Sequence, residues 1–229
     1  CSQAGNALID NINSRDPVLR RAAMQALGQL RYPNAVQALS DQLSYYQKGA
    51  DAQAALFGLA GIGHPTSTSI FRQALTSANA DMRRLAVEGL ARAGARDALA
   101  ELQQIGQNER STGVLLSLHY AHIKLAAPGS QPRQLVAALT NTSLRPLALK
   151  HLLDLAPSIA PALAESLRNE DPNVRRLVAD VLGFSHDAGI LPALEAARKD
   201  PDPEAALAAQ RAIARIALSP GLRSPSAEG

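Results

Sequence analysis

A motif of thirteen residues that recurs along the chain limits its possible folds more than any other feature of the sequence. Segments 16–28 and 171–183 align without a gap, and each begins with Asp-Pro and continues with two adjacent arginines. A third copy follows Asn79, and degenerate copies fill the intervals. The motif thus occurs about seven times at a spacing of about thirty-one residues, a period typical of repeat architectures.

Each clear copy carries the signals of a helix start. Asp16, Asp171 and Asp202 are predicted N-caps, because a carboxylate accepts a free N–H of the first turn and favours the positive end of the helix dipole. Proline follows at the first helical position, where no N–H is needed. Another amphipathic segment precedes these helices, at 33–43, 96–105, 131–139, 158–167 and 188–197. Each repeat is therefore predicted to be an antiparallel helix pair that buries its apolar face by stacking on its neighbours.

The composition agrees with a fold built from helices alone. Hydrophobic residues make up 46% of the chain, but aromatic residues only 3%. The apolar content is mostly alanine and leucine, which are strong helix formers and let helices approach closely. We therefore predict an all-α protein.

The motif Asp-Pro-x-Val-Arg-Arg-x-Ala-x-x-x-Leu-Gly resembles the second helix of HEAT-like repeats, in particular the short bacterial type also found in phycobilisome lyases. The resemblance extends over residues 6–218 and implies a right-handed α-solenoid of about seven helix pairs. It also implies that the second helices line the concave face. The first arginine of the motif is then expected to bond with an acid of the adjacent repeat. The arginines at this position are Arg20, Arg83, Arg145 and Arg175. Copies two, four and seven lack this arginine, so the ladder is expected to be interrupted there.

The segment from Cys1 to Asn6 resembles the mature N-terminus of a bacterial lipoprotein, in which the cysteine carries a diacylglycerol. This resemblance implies lipid attachment at Cys1, a tether over residues 1–5, and a position in the cell envelope, at the outer membrane facing the periplasm. Processing of another kind at this cysteine is the alternative. No stretch approaches the ~20 uninterrupted apolar residues of a transmembrane helix. Residues 219–229, rich in proline, serine and glycine, are predicted to form a flexible tail.

The sequence gives no sign of catalysis, of a cofactor or of a metal site. It lacks the repeated His-Glu pairs of the HEAT-like iron hydroxylases and the Trp of a base-binding glycosylase, and it has no nucleotide-binding loop. His119 and His122 are three residues apart on one predicted helix, but a metal site needs at least one more ligand. The net charge of +3 comes from basic residues spread along the chain, so we expect no nucleic-acid partner.

Two surfaces are candidates for binding a protein partner. One is the outward stripe of the second helices, formed by the second arginine of the motif and the residue four positions later. In the clear copies these pairs are Arg21 with Gln25, Arg84 with Glu88, and Arg176 with Asp180. In the weaker copies the same stripe carries Phe57, Leu116, Lys150 and Leu207. An ordinary solvated face is the alternative for this stripe, and a rotated repeat would bury Phe57. The other candidate is the pair Tyr45 and Tyr46 at the end of a first helix.

The predicted function is that of a lipid-anchored scaffold or adaptor, which binds protein partners in a bacterial cell-envelope complex and is not an enzyme. No small-molecule substrate is expected. Two alternatives stay open: a lyase-type enzyme or accessory protein that holds a small ligand in the concave groove, and a soluble regulatory HEAT-repeat adaptor.

Overall fold

The computed structural model describes residues 2–126 and 130–218, and all regular secondary structure in these two ranges is helical. The chain divides into two compact units, one ending at Pro128 and the other beginning at Gly129. The lipid attachment predicted at Cys1 and the tail predicted at residues 219–229 lie outside the described residues.

The first unit is built from four helix pairs. Three-residue 3-10 turns lead into α3, α5 and α7. The pairs are α1 (Ser2–Asn11) with α2 (Pro17–Gln29), α3 (Val36–Tyr46) with α4 (Gly49–Ile62), α5 (Thr68–Ala74) with α6 (Ala80–Arg92), and α7 (Leu99–Asn108) with α8 (Thr112–Lys124). Residues 2–5, which the sequence analysis assigned to a tether, lie in α1.

The second unit continues the pattern with shorter first helices. Its elements are α9 (Arg133–Ala137), α10 (Arg145–Ala164), α11 (Pro172–Leu182), α12 (Leu191–Ala197) and α13 (Pro203–Ala217). Helix α9 packs on α10, α10 on α11, and α12 on α13. The described residues of the two units contain seven second helices, α2, α4, α6, α8, α10, α11 and α13, so the prediction of an all-α repeat fold is confirmed.

The predicted N-caps are confirmed. The carboxylates of Asp16 and Asp171 each accept a backbone N–H from the residue two positions later at 2.8 Å. Asp202 accepts that of Ala205 at 2.9 Å, and Asn79 takes the same role at the start of α6. These bonds satisfy amides that the first turn of a helix leaves without an intrahelical partner.

The separate helix predicted at 158–167 is wrong. The 20-residue helix α10 begins at Arg145, contains Pro157 and Pro161, and extends into this segment as far as Ala164, where a 3-10 turn follows. The buried side chains keep helical spacing across the prolines, from Leu152 through Leu155 and Ala160 to Leu163, so core packing opposes a break. The segment Arg145–Arg168 is also long and apolar enough to cross a membrane, but a buried core helix passes the same test, and α10 packs on α9 and α11.

The second helices of the first unit pack on one another in the order α2, α4, α6, α8. Glycine makes the first of these contacts close: a Cβ on Gly28 would lie 2.7 Å from Cα of Gly58, and one on Gly61 would lie 2.6 Å from the carbonyl oxygen of Gly28. Met24, Leu27 and other apolar side chains of these helices are completely buried around this contact. The second helices therefore form the central layer of the core.

Candidate partner-binding site

The arginines of the stripe predicted on the second helices already form ion pairs within the chain. Each of its three arginines lies near a carboxylate: Arg21 with Asp51 at 3.7 Å, Arg84 with Glu88 at 2.7 Å, and Arg176 with Asp180 at 3.8 Å. All three arginines are only partly exposed. Their guanidinium groups are therefore partly satisfied before any partner arrives.

The predicted exposure of Glu88 is wrong, since its side chain is 0% exposed. Arg84 donates to one carboxylate oxygen at 2.7 Å and Arg92 to the other at 3.3 Å, while the hydroxyl of Ser117 lies 3.5 Å away. Arg92 also donates to the carbonyl of Ala60 and lies over the ring of Tyr120. Helix α8 packs against α6 and covers this carboxylate, so the middle of the stripe is part of the interior.

The other residues predicted for this stripe differ in exposure. Leu116 is 5% exposed, so its predicted exposure is also wrong, because it lies on the buried side of α8. Phe57 and Lys150 are half-buried, and Leu207 is exposed on α13. In the first unit, the stripe therefore offers little free apolar surface to a partner.

The ladder that the HEAT resemblance implies is confirmed in three copies. The first arginine of the motif donates through Nε to an acid of the following repeat: Arg20 to Asp51 at 3.0 Å, Arg83 to Glu109 at 2.8 Å, and Arg175 to Asp200 at 2.7 Å. Arg145 instead donates Nε to the backbone carbonyl of Leu139 at 2.7 Å. The bond from Arg83, together with the amides of residues 110 and 111, lowers the pKa of Glu109 from 4.5 to about 2.

The second predicted candidate, the tyrosine pair, lies on a groove of the first unit, which we call the tyrosine groove. The turn between α1 and α2 forms one wall, and the end of α3 forms the other. Its volume is about 340 Å³, and its lining residues are Asn13, Ser14, Arg15, Arg20, Gln42, Tyr45 and Tyr46. The structure thus brings the two tyrosines together with residues that the sequence analysis did not connect to them.

The tyrosine groove combines a fixed base with an exposed ring. The guanidinium of Arg20 lies 5.0 Å from the centroid of the Tyr46 ring, and its Nη1 donates to the carbonyl of Ser14 at 2.8 Å. Gln42 donates to the side-chain oxygen of Asn13 at 2.7 Å and so links the two walls. Tyr45 packs edge-to-face on Tyr46, with centroids 4.9 Å apart, and remains 78% exposed.

The second unit has a wider groove that the sequence analysis missed. It lies between the end of α10 and α12, and its volume is about 670 Å³. Its lining includes four alanines and four charged residues: Ala164, Ala193, Ala196 and Ala197, with Glu165, Arg168, Lys199 and Asp200. The alanine spacing on α12 was a visible signal, but small residues at helical spacing are equally typical of a packed interface.

His119 and His122 lie three residues apart on α8. His122 is half-buried, and His119 is more exposed but still partly covered by protein. This partial burial lowers the pKa of both imidazoles, and the charge of His122 lowers that of His119 further. Within residues 2–126 and 130–218, no group of three potential ligands lies close enough together to hold a metal ion.

Comparison with known proteins supports the repeat architecture. The sequence profile described as HEAT repeats matches residues 47–117, and no curated protein sequence matches the chain. Among solved structures, the complex of CpcE and CpcF of phycocyanin lyase from Nostoc sp. PCC7120 is similar, with a TM-score of 0.60, 20% identity, and coverage of 94% of this chain and 83% of that one.

Two other structures are more distant. Human deoxyhypusine hydroxylase has a TM-score of 0.39 at 18% identity, with 93% of this chain and 84% of that chain covered. A designed armadillo repeat protein has a TM-score of 0.37 at 17% identity, with 92% of this chain and 98% of that chain covered. The profile match and the first structure agree on the fold: residues 47–117 match HEAT repeats, and the chain has an all-helical repeat fold similar to that of the lyase complex.

Proposed function

We propose that this chain is a non-enzymatic scaffold that binds a protein partner through the tyrosine groove. The observation that carries the proposal is Tyr45, a large aromatic side chain left 78% exposed at the rim of a groove whose walls are already fixed. Exposed aromatic residues beside a pocket are typical anchors of protein interfaces, because one ring buries a large area at a small entropic cost.

The fixed geometry around Tyr45 supports the same function. The bond between Gln42 and Asn13, and the position of Arg20 beneath Tyr46, hold the groove in one arrangement before binding. A preformed site loses less conformational freedom on association than a mobile one. The stripe on the second helices of the first unit is a weaker candidate, because its arginines already lie beside carboxylates of the same unit.

A site-specific photo-crosslinking experiment tests this proposal. A benzophenone amino acid in place of Tyr45 should give discrete crosslinked protein adducts in the native cell. The matched control is the same substitution at Leu30, which is 54% exposed and lies outside the groove in the same unit. Adducts from position 45 alone support the groove, whereas equal adducts from both positions, or none from position 45, contradict it.

The finer proposal places this scaffold in a bacterial cell envelope, held by lipid on Cys1. Its support is the resemblance of residues 1–6 to a lipoprotein N-terminus. Two or three acyl chains would hold the protein durably at a bilayer. The intact mass of native protein should then exceed the 24.1 kDa polypeptide by the mass of those chains, and an unmodified mass contradicts the anchor.

A lyase-type accessory role is the second candidate. It rests on the likeness to the CpcE–CpcF complex of phycocyanin lyase, which at 20% identity is a likeness of fold alone. A small ligand that copurifies with the chain would favour this role over a scaffold that binds protein only.

A further inference from the structure

We propose that the tyrosine groove recognises an acidic segment of the partner, with a carboxylate beside Arg15 and an apolar or aromatic side chain against Tyr45. This inference rests on the proposed function and specifies the chemistry of the partner. It concerns a protein segment, which a single groove can hold in an extended form.

The charges around the groove favour an acidic partner. Its lining includes two arginines and no carboxylate. Arg20 is compensated by Asp51, but Arg15 is exposed and has no ion-pair partner among residues 2–126. The carboxylate of Asp16, next to Arg15 in the sequence, accepts the N–H of Val18 at the start of α2. The guanidinium of Arg15 is therefore exposed at the groove and is not held in an ion pair within residues 2–126.

The hydrogen-bonding groups of the groove also favour a carboxylate. The side-chain oxygen of Asn13 accepts from Gln42, and the hydroxyl oxygen of Ser14 accepts from the N–H of Asp16. Both side chains therefore have donors left to offer, as do Arg15 and the tyrosine hydroxyl of Tyr45. An ionised carboxylate only accepts hydrogen bonds, so it matches a site rich in donors.

A polyanion fits the same surface less well. Nucleic acids and anionic membranes are bound by several cations that together neutralise many phosphates. The groove offers one arginine that is outside an ion pair in the first unit's described residues, and basic residues elsewhere are spread along the chain without a run. The Arg15 guanidinium and the Tyr45 ring therefore suit a partner segment that has one carboxylate and a neighbouring apolar side chain.

Fluorescence anisotropy with two synthetic peptides tests the inference on the full chain. The first probe is a fluorescein-labelled, N-acetylated peptide of alternating glutamate and phenylalanine, and the second has glutamine in place of every glutamate. The glutamate peptide should bind at least about tenfold more tightly at low salt, and the difference should shrink as added salt screens the charges.

Two charge-matched variants locate the contact. Arg15→Gln should weaken binding of the glutamate peptide about fivefold or more, whereas Arg96→Gln should leave it unchanged. Arg96 is an exposed arginine of the same unit outside the groove, so both variants lose one positive charge. An equal loss in the two variants would mean non-specific attraction and would overturn the inference.

The remaining outcomes separate this inference from the proposed function. Equal binding of both peptides, no binding of the glutamate peptide at millimolar concentration, or full competition by a single-stranded oligonucleotide would each overturn the acidic segment. Crosslinks from position 45 would still support the scaffold in those cases. Loss of these crosslinks would contradict the scaffold itself.

Discussion

The arginine at the fifth position of the motif fixes the turn that precedes its own helix. In copies one, three and six its Nη1 donates to the backbone carbonyl six residues earlier, and in copy five Arg145 makes the equivalent bond through Nε. In copies one, three and six the same guanidinium also bonds an acid of the next repeat. One side chain therefore joins a turn, a helix and a neighbouring repeat.

This network predicts that Glu109→Gln destabilises the first unit at neutral pH. The pKa of Glu109 is about 2 in the folded chain, below its ordinary value of 4.5. Its contribution is therefore complete above pH 4.5 and disappears as the pH falls towards 2. We expect the variant to lose about 2 kcal/mol of unfolding free energy at pH 7, measured by urea unfolding, and progressively less at lower pH.

The control for this prediction is Glu101→Gln on α7. Glu101 lies 3.4 Å from Arg72 in a pair whose side chains are both about 40% exposed, so we expect a change below about 0.5 kcal/mol. A loss at Glu109 that does not depend on pH between 2 and 7 would show that the ionised carboxylate is not what stabilises the unit.

At the scale of elements, the contact between α2 and α4 depends on backbone meeting backbone. A Cβ on Gly28 would lie 2.7 Å from Cα of Gly58 and 2.9 Å from its carbonyl oxygen, and neither atom can move without moving its helix. Gly28→Ala should therefore force the helices apart and lower the unfolding free energy by about 2 kcal/mol or more. Thermal and chemical unfolding measure this loss.

Gly106→Ala on α7 is the matched control for the helix contact. Its new Cβ would meet a Leu118 methyl at 3.4 Å, which is close to ordinary van der Waals contact. Alanine also favours a helix by up to about 1 kcal/mol over glycine, so this variant should be neutral or more stable. If Gly28→Ala were equally harmless, the helices would not pack as closely as described.

At the scale of the whole molecule, local signals in the sequence predicted the helix pairs but not what covers them. The N-caps at Asp16, Asp171 and Asp202 could be predicted because each depends on a few neighbouring residues. The burial of Glu88 depends on α8, whose Ser117 is 29 residues away, so helical periodicity within α6 could not reveal it. The continuous α10 depends in the same way on core contacts that outweigh its two prolines.

The tyrosine groove also combines a feature that could be predicted from the local sequence with one that depends on packing. The pair of tyrosines at the end of α3 could be selected from the sequence, because two adjacent aromatic residues are unusual in a chain with 3% aromatic content. Their neighbours Asn13, Ser14 and Arg15 come from a turn about thirty residues earlier, which only the packing of α2 against α4 brings close.

The affinity of the purified chain for the partner crosslinked at position 45 tests the central claim most directly. Titration calorimetry should show that Tyr45→Ala weakens binding by at least about tenfold, as expected for an aromatic anchor, while Leu30→Ala leaves the Kd unchanged. The same affinity for wild type and Tyr45→Ala, or an equal loss in both variants, would contradict the claim that the tyrosine groove holds the partner.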